Sequence, residues 1–183
     1  GTATVAAPGD DPYVESGSVS ATIATATGGN FESLVVDPAA ATTAVSDTID
    51  VTTVSLSATA SVAEGGSIVY TATLTNAAQT PVTVTLSTGQ TITIAAGATT
   101  GTVSIAAPVD DPYVDAGSVS RTISSATGGN FESLVIDAAA ATTTITDTID
   151  VTTATLTATP SVAEGGTITY TVSLAAPVAG SPV

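Results

Sequence analysis

A short acidic segment is the first place in the sequence where side chains can do chemistry. Asp110, Asp111 and Asp115 lie close together around Pro112. Carboxylates at this spacing repel one another by about 1 kcal/mol per pair in water and by more near a protein surface. A cation among them would relieve this repulsion, and oxygen ligands favour a hard ion such as calcium. The segment therefore predicts a calcium site, with a solvated acidic turn as the alternative.

The acidic residues recur at a fixed distance along the chain. Asp110 follows Asp10 by 100 residues, and eight such pairs account for all 16 acids. Acids that serve only solubility would scatter over exposed positions, so the pairing indicates sites shared by both copies. The predicted metal ligands are Glu64, Asp110, Asp111, Asp115, Asp147 and Asp150, together with Asp10, Asp11, Glu15, Asp47, Asp50 and Glu164 in the neighbouring copies.

The charge balance excludes several classes of function. The chain of 183 residues has 16 acids, one base (Arg121), no histidine and no cysteine, which gives a net charge of -15. Nucleic-acid binding requires Lys and Arg, and anionic membranes would repel this chain. Thiolate or histidine sites for zinc or copper are not available. No apolar run approaches the ~20 residues that span a bilayer, so we expect no membrane insertion.

Internal repetition defines the organisation of the chain. GTATVAAPGDDPYVESGSVSATI, ATGGNFESLVVD and SVAEGGSIVY each recur in nearly the same form 100 residues later. A unit of about 100 residues has the size of one β-sandwich domain and is too long for a solenoid coil. We expect a complete repeat at 51–150, the C-terminal half of another at 1–50, and the N-terminal part of a third at 151–183. On this interpretation the chain is an interior fragment of a longer protein.

The complete repeat predicts an all-β fold of seven short strands. Apolar residues alternate with Thr, Ser or Val, as expected for half-buried strands, and Gly and Pro mark the turns. This pattern is typical of a seven-stranded immunoglobulin-like sandwich. Arg121 falls on the apolar phase of the sixth strand, where we expect an edge position or an ion pair. The predicted strands are centred on 54–58, 68–74, 82–86, 92–94, 103–105, 119–123 and 143–145.

In such a sandwich three acidic segments lie at one pole. These are the turn at Glu64, the loop after the fifth strand, and the exit of the last strand at Asp147 and Asp150. The alternatives are an exposed turn for Glu64, a solvated acidic turn for the loop, and a soluble linker for Asp147 and Asp150. A second calcium site in GGNFESL, with Asn130, Glu132 and Asp137, competes with a plain left-handed glycine turn.

The order of these motifs resembles a known family. SVAEGGSIVYTATL, then TITIAAGATTGTVSIAAPVDD, then TDTID is similar to Calx-β sandwiches and to the extender repeats of giant bacterial RTX adhesins, including biofilm and ice-binding adhesins. The resemblance implies calcium held by Glu64, by Asp110, Asp111 and Asp115, and by Asp147 and Asp150. The chain has fewer acids at the last two places than Calx-β domains have. The resemblance also implies type I secretion, display on the bacterial cell surface and a length-extending role.

The leading functional hypothesis is a structural spacer in a cell-surface adhesin, stiffened by calcium and packed against neighbouring repeats of the same chain. We expect no enzymatic activity, because no His, Cys or Lys is present as a base or nucleophile. One alternative is a subunit of an extracellular filament, in which partial repeats of neighbouring chains complete one sandwich by strand exchange. A glycan-binding module is a third interpretation, but it lacks a visible site.

Overall fold

The computed structural model describes residues 1–15 and 17–180, and its regular elements are all β-strands. The all-β class is therefore confirmed. Among the described residues, no helix has the length and hydropathy needed to cross a membrane. The strands are β1 (Gly17–Ala21), β2 (Ala41–Val45), β3 (Val51–Ala58), β4 (Ser61–Ala63), β5 (Ser67–Leu74), β6 (Val82–Leu86), β7 (Thr91–Ile94), β8 (Thr100–Ala106), β9 (Gly117–Arg121), β10 (Ile123–Gly128), β11 (Ser133–Ile136), β12 (Ala141–Thr146), β13 (Ala154–Ala158) and β14 (Tyr170–Leu174).

The strands form several sheets. A four-stranded sheet has the order β11-β3-β5-β8, and two three-stranded sheets have the orders β10-β6-β7 and β4-β12-β9. The two-stranded sheets β1-β2 and β13-β14 are both antiparallel. Two pairs are parallel, β11 with β3 and β12 with β4. Each parallel pair includes one strand of only three or four residues, and its two strands are far apart in the sequence.

The chain divides into two compact units, each assembled from separate segments. The first consists of Gly1–Ser55, Ala72–Gly101 and Ile123–Ala138. Its core follows the alternation of β6 and β7, which pair with Val84 opposite Ile92. Both residues are fully buried, because each points away from the threonines that flank it in the strand. The remaining core of this unit includes Val54, Ala72, Leu74, Ala78, Val82, Leu86, Ile94, Ile123 and Phe131.

The second unit consists of Leu56–Thr71, Thr102–Thr122 and Ala139–Val183. Its buried apolar core includes Ile68, Tyr70, Ala107, Ala141 and Ile145. The single cation of the chain lies over this core, with the guanidinium carbon of Arg121 5.6 Å from the centre of the Tyr70 ring. Arg121 belongs to β9, at the end of the β4-β12-β9 sheet, as the predicted edge position required. Its contact with the Tyr70 ring is a cation–π interaction.

Most of the predicted strands are present at the expected places, but one is divided. The sixth predicted strand is interrupted at Thr122, and its halves β9 and β10 belong to different sheets. Ile123 begins β10 next to a bulge in its pairing with β6. Sequence alternation predicted one continuous strand here, because Val119 and Ile123 share one phase and Arg121 between them keeps the period of two.

Candidate metal centre

Three of the predicted ligands meet in the second unit. Carboxylate oxygens of Glu64, Asp115 and Asp147 all lie within 4.8 Å of one another. Glu64 follows β4, Asp115 precedes β9 and Asp147 follows β12, so three separate strands supply one carboxylate each. This is the group of metal-ligating side chains that the described part of the chain brings together.

Strand register explains the meeting. In the antiparallel pair β9-β12, Gly117 lies opposite Ile145, so Asp115 and Asp147 continue the same register two residues beyond. In the parallel pair β4-β12, Ala63 lies opposite Thr146, so Glu64 and Asp147 are the next pair along. The three carboxylates therefore lie at one level at the end of this sheet.

Backbone hydrogen bonds hold the turn that carries Glu64. The Glu64 amide donates to the Thr146 carbonyl at 3.0 Å, and the Gly65 amide donates to the Pro108 carbonyl at 2.7 Å. Gly65 has a φ of 67°, in the left-handed region that glycine adopts without strain. The SVAEGG sequence thus fixes the Glu64 backbone beside the start of the acidic loop.

Glu64 is nearly sequestered from water. The residue is 9% exposed, and its Oε2 atom has no hydrogen-bond partner among the described residues. Asp147 also has a buried oxygen, Oδ1, without such a partner. Burial raises the pKa of Glu64 to about 7, assisted by a hydrogen bond to Asp115 and by the charges of Asp115, Asp147 and Asp111. A buried carboxylate with an unpaired oxygen requires a proton or a cation.

The other predicted ligands of this copy occupy different positions. Thr148 donates a hydrogen bond from its hydroxyl to Asp110 Oδ1. Asp111 Oδ1 accepts a hydrogen bond of 2.9 Å from the Tyr113 amide, which closes a turn. Asp150 is exposed beyond the end of β12. Asp110 is thus engaged by a distant threonine and Asp111 by a local turn, and both lie outside the three-carboxylate cluster.

The copy at residues 1–50 repeats these contacts in the first unit. Thr48 donates to Asp10 Oδ1, and the Tyr13 amide donates to Asp11 Oδ1 at 2.9 Å. The Glu15 amide donates to Asp47 Oδ2 at 3.2 Å. These two residues are the counterparts of Asp115 and Asp147, which lie opposite each other in the next copy. Glu164, the counterpart of Glu64, is exposed and lies outside the three-carboxylate cluster.

Glu132 has a role that sequence reasoning missed. Its carboxylate accepts a hydrogen bond from the Asp50 amide. That bond lowers the pKa of Glu132, but burial and the nearby carboxylates of Asp47 and Asp50 raise it above its ordinary value. Sequence analysis weighs a second calcium site with Asn130, Glu132 and Asp137 against a left-handed glycine turn in GGNFESL, and the structure contains the turn. Asn130 donates to Gln79 Oε1 at 2.7 Å, and Glu132 lies near acids of the preceding copy.

Comparison with known families identifies the repeating unit. The model of the LapA domain family matches residues 1–48 and again residues 50–148. The chain belongs to the LapA domain family. LapA is a large adhesin of biofilm formation, so the two matches relate this chain to an adhesin family. No curated protein and no solved structure matches the chain.

Proposed function

We propose that this chain is a calcium-binding extender segment of a secreted bacterial adhesin, displayed at the cell surface, in which each LapA domain is an immunoglobulin-like sandwich. The observation that carries the proposal is the buried, unpartnered Glu64 Oε2 in a cluster with Asp115 and Asp147. Membership in an adhesin-related family supports the surface location.

The ligand chemistry favours calcium over other divalent ions. Three carboxylates offer up to six oxygens, and calcium accepts six to eight oxygen ligands in flexible geometry. Magnesium requires a tighter octahedral arrangement and keeps much of its water. Zinc prefers histidine and cysteine, which this sequence lacks. The net charge of -15 increases the attraction for any divalent cation.

The position of the cluster supports a mechanical role. Glu64, Asp115 and Asp147 come from three strands of one LapA domain, at the point where the chain leaves β12 toward the next copy. A cation bound there would fasten the departing segment to β4 and β9. Spacing an adhesive region away from the cell requires such stiff joints. We propose that the segment does this work without catalysing a reaction.

Thermal unfolding with calcium, magnesium or chelator tests the proposal. Extracellular calcium modules bind at ~10⁻⁴–10⁻³ M, so about 10 mM calcium is expected to raise the melting temperature by roughly 10 °C. Glu64→Gln is expected to abolish most of that rise. Glu164→Gln is the matched control, because it makes the same change in the same SVAEGG sequence, outside the cluster. Equal melting temperatures in calcium and chelator would sink the proposal.

A second candidate is a subunit of a filament assembled by strand exchange. The first copy exposes apolar side chains, among them Val5, which a complementary strand of another chain would cover. Size-exclusion chromatography at rising concentration separates the two functions. A spacer keeps a constant apparent size, whereas a filament subunit grows with concentration.

A further inference from the structure

An aromatic pair in the first compact unit brings together residues of the two LapA matches. Tyr13 of the first match stacks on Phe131 of the second, with ring centroids 5.8 Å apart and planes inclined by 24°. The same two residues form an isolated antiparallel β-bridge. Both lie in the first compact unit.

Backbone and hydroxyl hydrogen bonds surround this aromatic pair. The Val14 amide donates to the Asn130 carbonyl at 3.1 Å, and the Glu132 amide donates to the Pro12 carbonyl at 3.2 Å. The Tyr13 hydroxyl donates to the Ala77 carbonyl at 2.6 Å. These bonds fix the register of one copy on the next, because a shift of one residue would break all of them.

The receiving surface is built by its own domain. Gly128, Gly129 and Asn130 all have left-handed φ angles, of 100°, 88° and 60°. A Cβ atom on Gly129 would lie 2.2 Å from the Phe131 ring, so only glycine allows the ring to lie beneath the turn. The Gln79 amide donates to the Gly129 carbonyl at 3.1 Å and anchors the turn.

The inserted segment is also formed locally. Asp11 Oδ1 closes a turn on the Tyr13 amide at 2.9 Å, and Asp111 does the same to Tyr113 at 2.9 Å. The hydroxyl of Tyr113 donates to the Pro177 carbonyl at 2.8 Å, over the same separation of 64 residues as Tyr13 and Ala77. The contact of the tyrosine with the following copy therefore occurs twice in the chain.

We propose that the DPYV segment and the GGNFE turn form the recurring joint between consecutive LapA domains. The occupant of each GGNFE turn is the DPYV segment of the preceding copy in the same chain. The joint is specified by aromatic stacking and backbone hydrogen bonds, so it forms without a cation. It also brings Glu132 against the Asp50 amide, since Glu132 directly follows Phe131.

Residue-resolved amide hydrogen exchange on the complete chain, in chelator, tests the joint. Tyr13→Ser is expected to accelerate exchange of the Val14 and Glu132 amides about tenfold, because both donate across the joint. Tyr13→Phe keeps the stacking and loses only the bond to Ala77, so a smaller acceleration, about threefold, is expected. Tyr113→Ser, the same change in the next copy, is expected to leave both amides unaffected.

Three results would overturn the joint. The first is free-peptide exchange at Val14 and Glu132 in the parent chain, and the second is no response to Tyr13→Ser. The third is acceleration by Tyr113→Ser, which would indicate general loosening. The β6 amides serve as an internal reference for folding. Repeating the experiment with calcium separates this proposal from the calcium site. If calcium has no effect on exchange, the calcium site fails, whereas protection of the joint amides in chelator still supports the joint.

Discussion

Phe31 and Phe131 occupy identical ATGGNFESL sequences and have opposite environments. Phe131 is 9% exposed, whereas Phe31 is 69% exposed. The glycines before each ring adopt the same left-handed angles, near 90° at Gly29 and Gly129. Local sequence therefore determines the turn, and burial depends on what the rest of the chain brings to it. For Phe131 the stacking neighbour is the ring of Tyr13, with centroids 5.8 Å apart.

Truncating the two phenylalanines should give the largest difference. Phe131→Ala is expected to destabilise the chain by about 3–5 kcal/mol, because it removes a buried ring and leaves a cavity. Phe31→Ala is expected to change the free energy of unfolding by less than about 0.5 kcal/mol. Urea denaturation followed by circular dichroism measures both. Equal losses would show that the burial difference does not exist in solution.

The two glutamates of the SVAEGG motif give the next comparison, through pH. Because folding raises the pKa of Glu64 to about 7, the protonated form stabilises the folded chain. In chelator, stability from this group is present below pH ~4.5 and is lost as the pH rises through ~7. Melting temperatures between pH 4.5 and 8 should show this loss. Glu64→Gln should remove it, and Glu164→Gln should leave it intact.

Calcium should reverse the sign of that pH dependence. The metal binds the deprotonated carboxylates, so calcium stabilisation is expected to grow as the pH rises through ~7. A calcium effect that is equal at pH 5 and pH 8 would mean that the ion binds elsewhere.

Two threonines at the same position of consecutive copies give a smaller expected difference in stability. The Thr143 hydroxyl is buried and donates to the Thr59 carbonyl at 2.7 Å, while Thr43, at the same position of the earlier copy, is exposed. Thr143→Val is expected to cost about 1–2 kcal/mol, because the carbonyl loses its donor inside the protein. Thr43→Val should fall within about 0.5 kcal/mol of the parent. A shift of the urea denaturation midpoint with an unchanged m value would establish this difference in the free energy of unfolding.

Arg121 and Ala21 give the smallest expected effect. Arg121→Ala makes the second copy identical to the first at this position and removes the contact with the Tyr70 ring. A loss of about 0.5–1 kcal/mol is expected for a cation–π contact of this kind. A Tyr70→Leu background provides the double-mutant cycle, and a coupling energy of zero would rule the contact out as a stabilising one.

Much of the fold follows from the sequence, because apolar and polar side chains alternate clearly along the longer strands. β3, β5, β6, β7, β8 and β12 lie where apolar alternation predicts them. β4 and β11 were missed because three or four residues carry too little alternation, and both pair with distant parallel partners. The break between β9 and β10 was missed because a change of sheet does not disturb the apolar phase.

The site was predictable in its chemistry and less so in its membership. Residue type and 100-residue pairing predicted a much larger set of ligands, and the structure brings three of them together, Glu64, Asp115 and Asp147. Asp110 and Asp111 are instead engaged by Thr148 and by the Tyr113 amide. Glu132 was overlooked as a partner of Asp47 and Asp50, because its position depends on a neighbouring copy. The pairing of Tyr13 with Phe131 gives the missing signal, since both recur in each copy.

The register that aligns Glu64, Asp115 and Asp147 has a consequence for biosynthesis. A chain of near-identical copies risks pairing a strand with the wrong copy during folding, and such errors bury nearly the same apolar surface as the correct pairing. Hydrophobic burial alone therefore discriminates poorly between them. The three carboxylates converge only when β4, β9 and β12 of one copy pair in a single register. A cation that binds the three carboxylates would stabilise the correctly paired copy selectively and so favour correct folding of each copy.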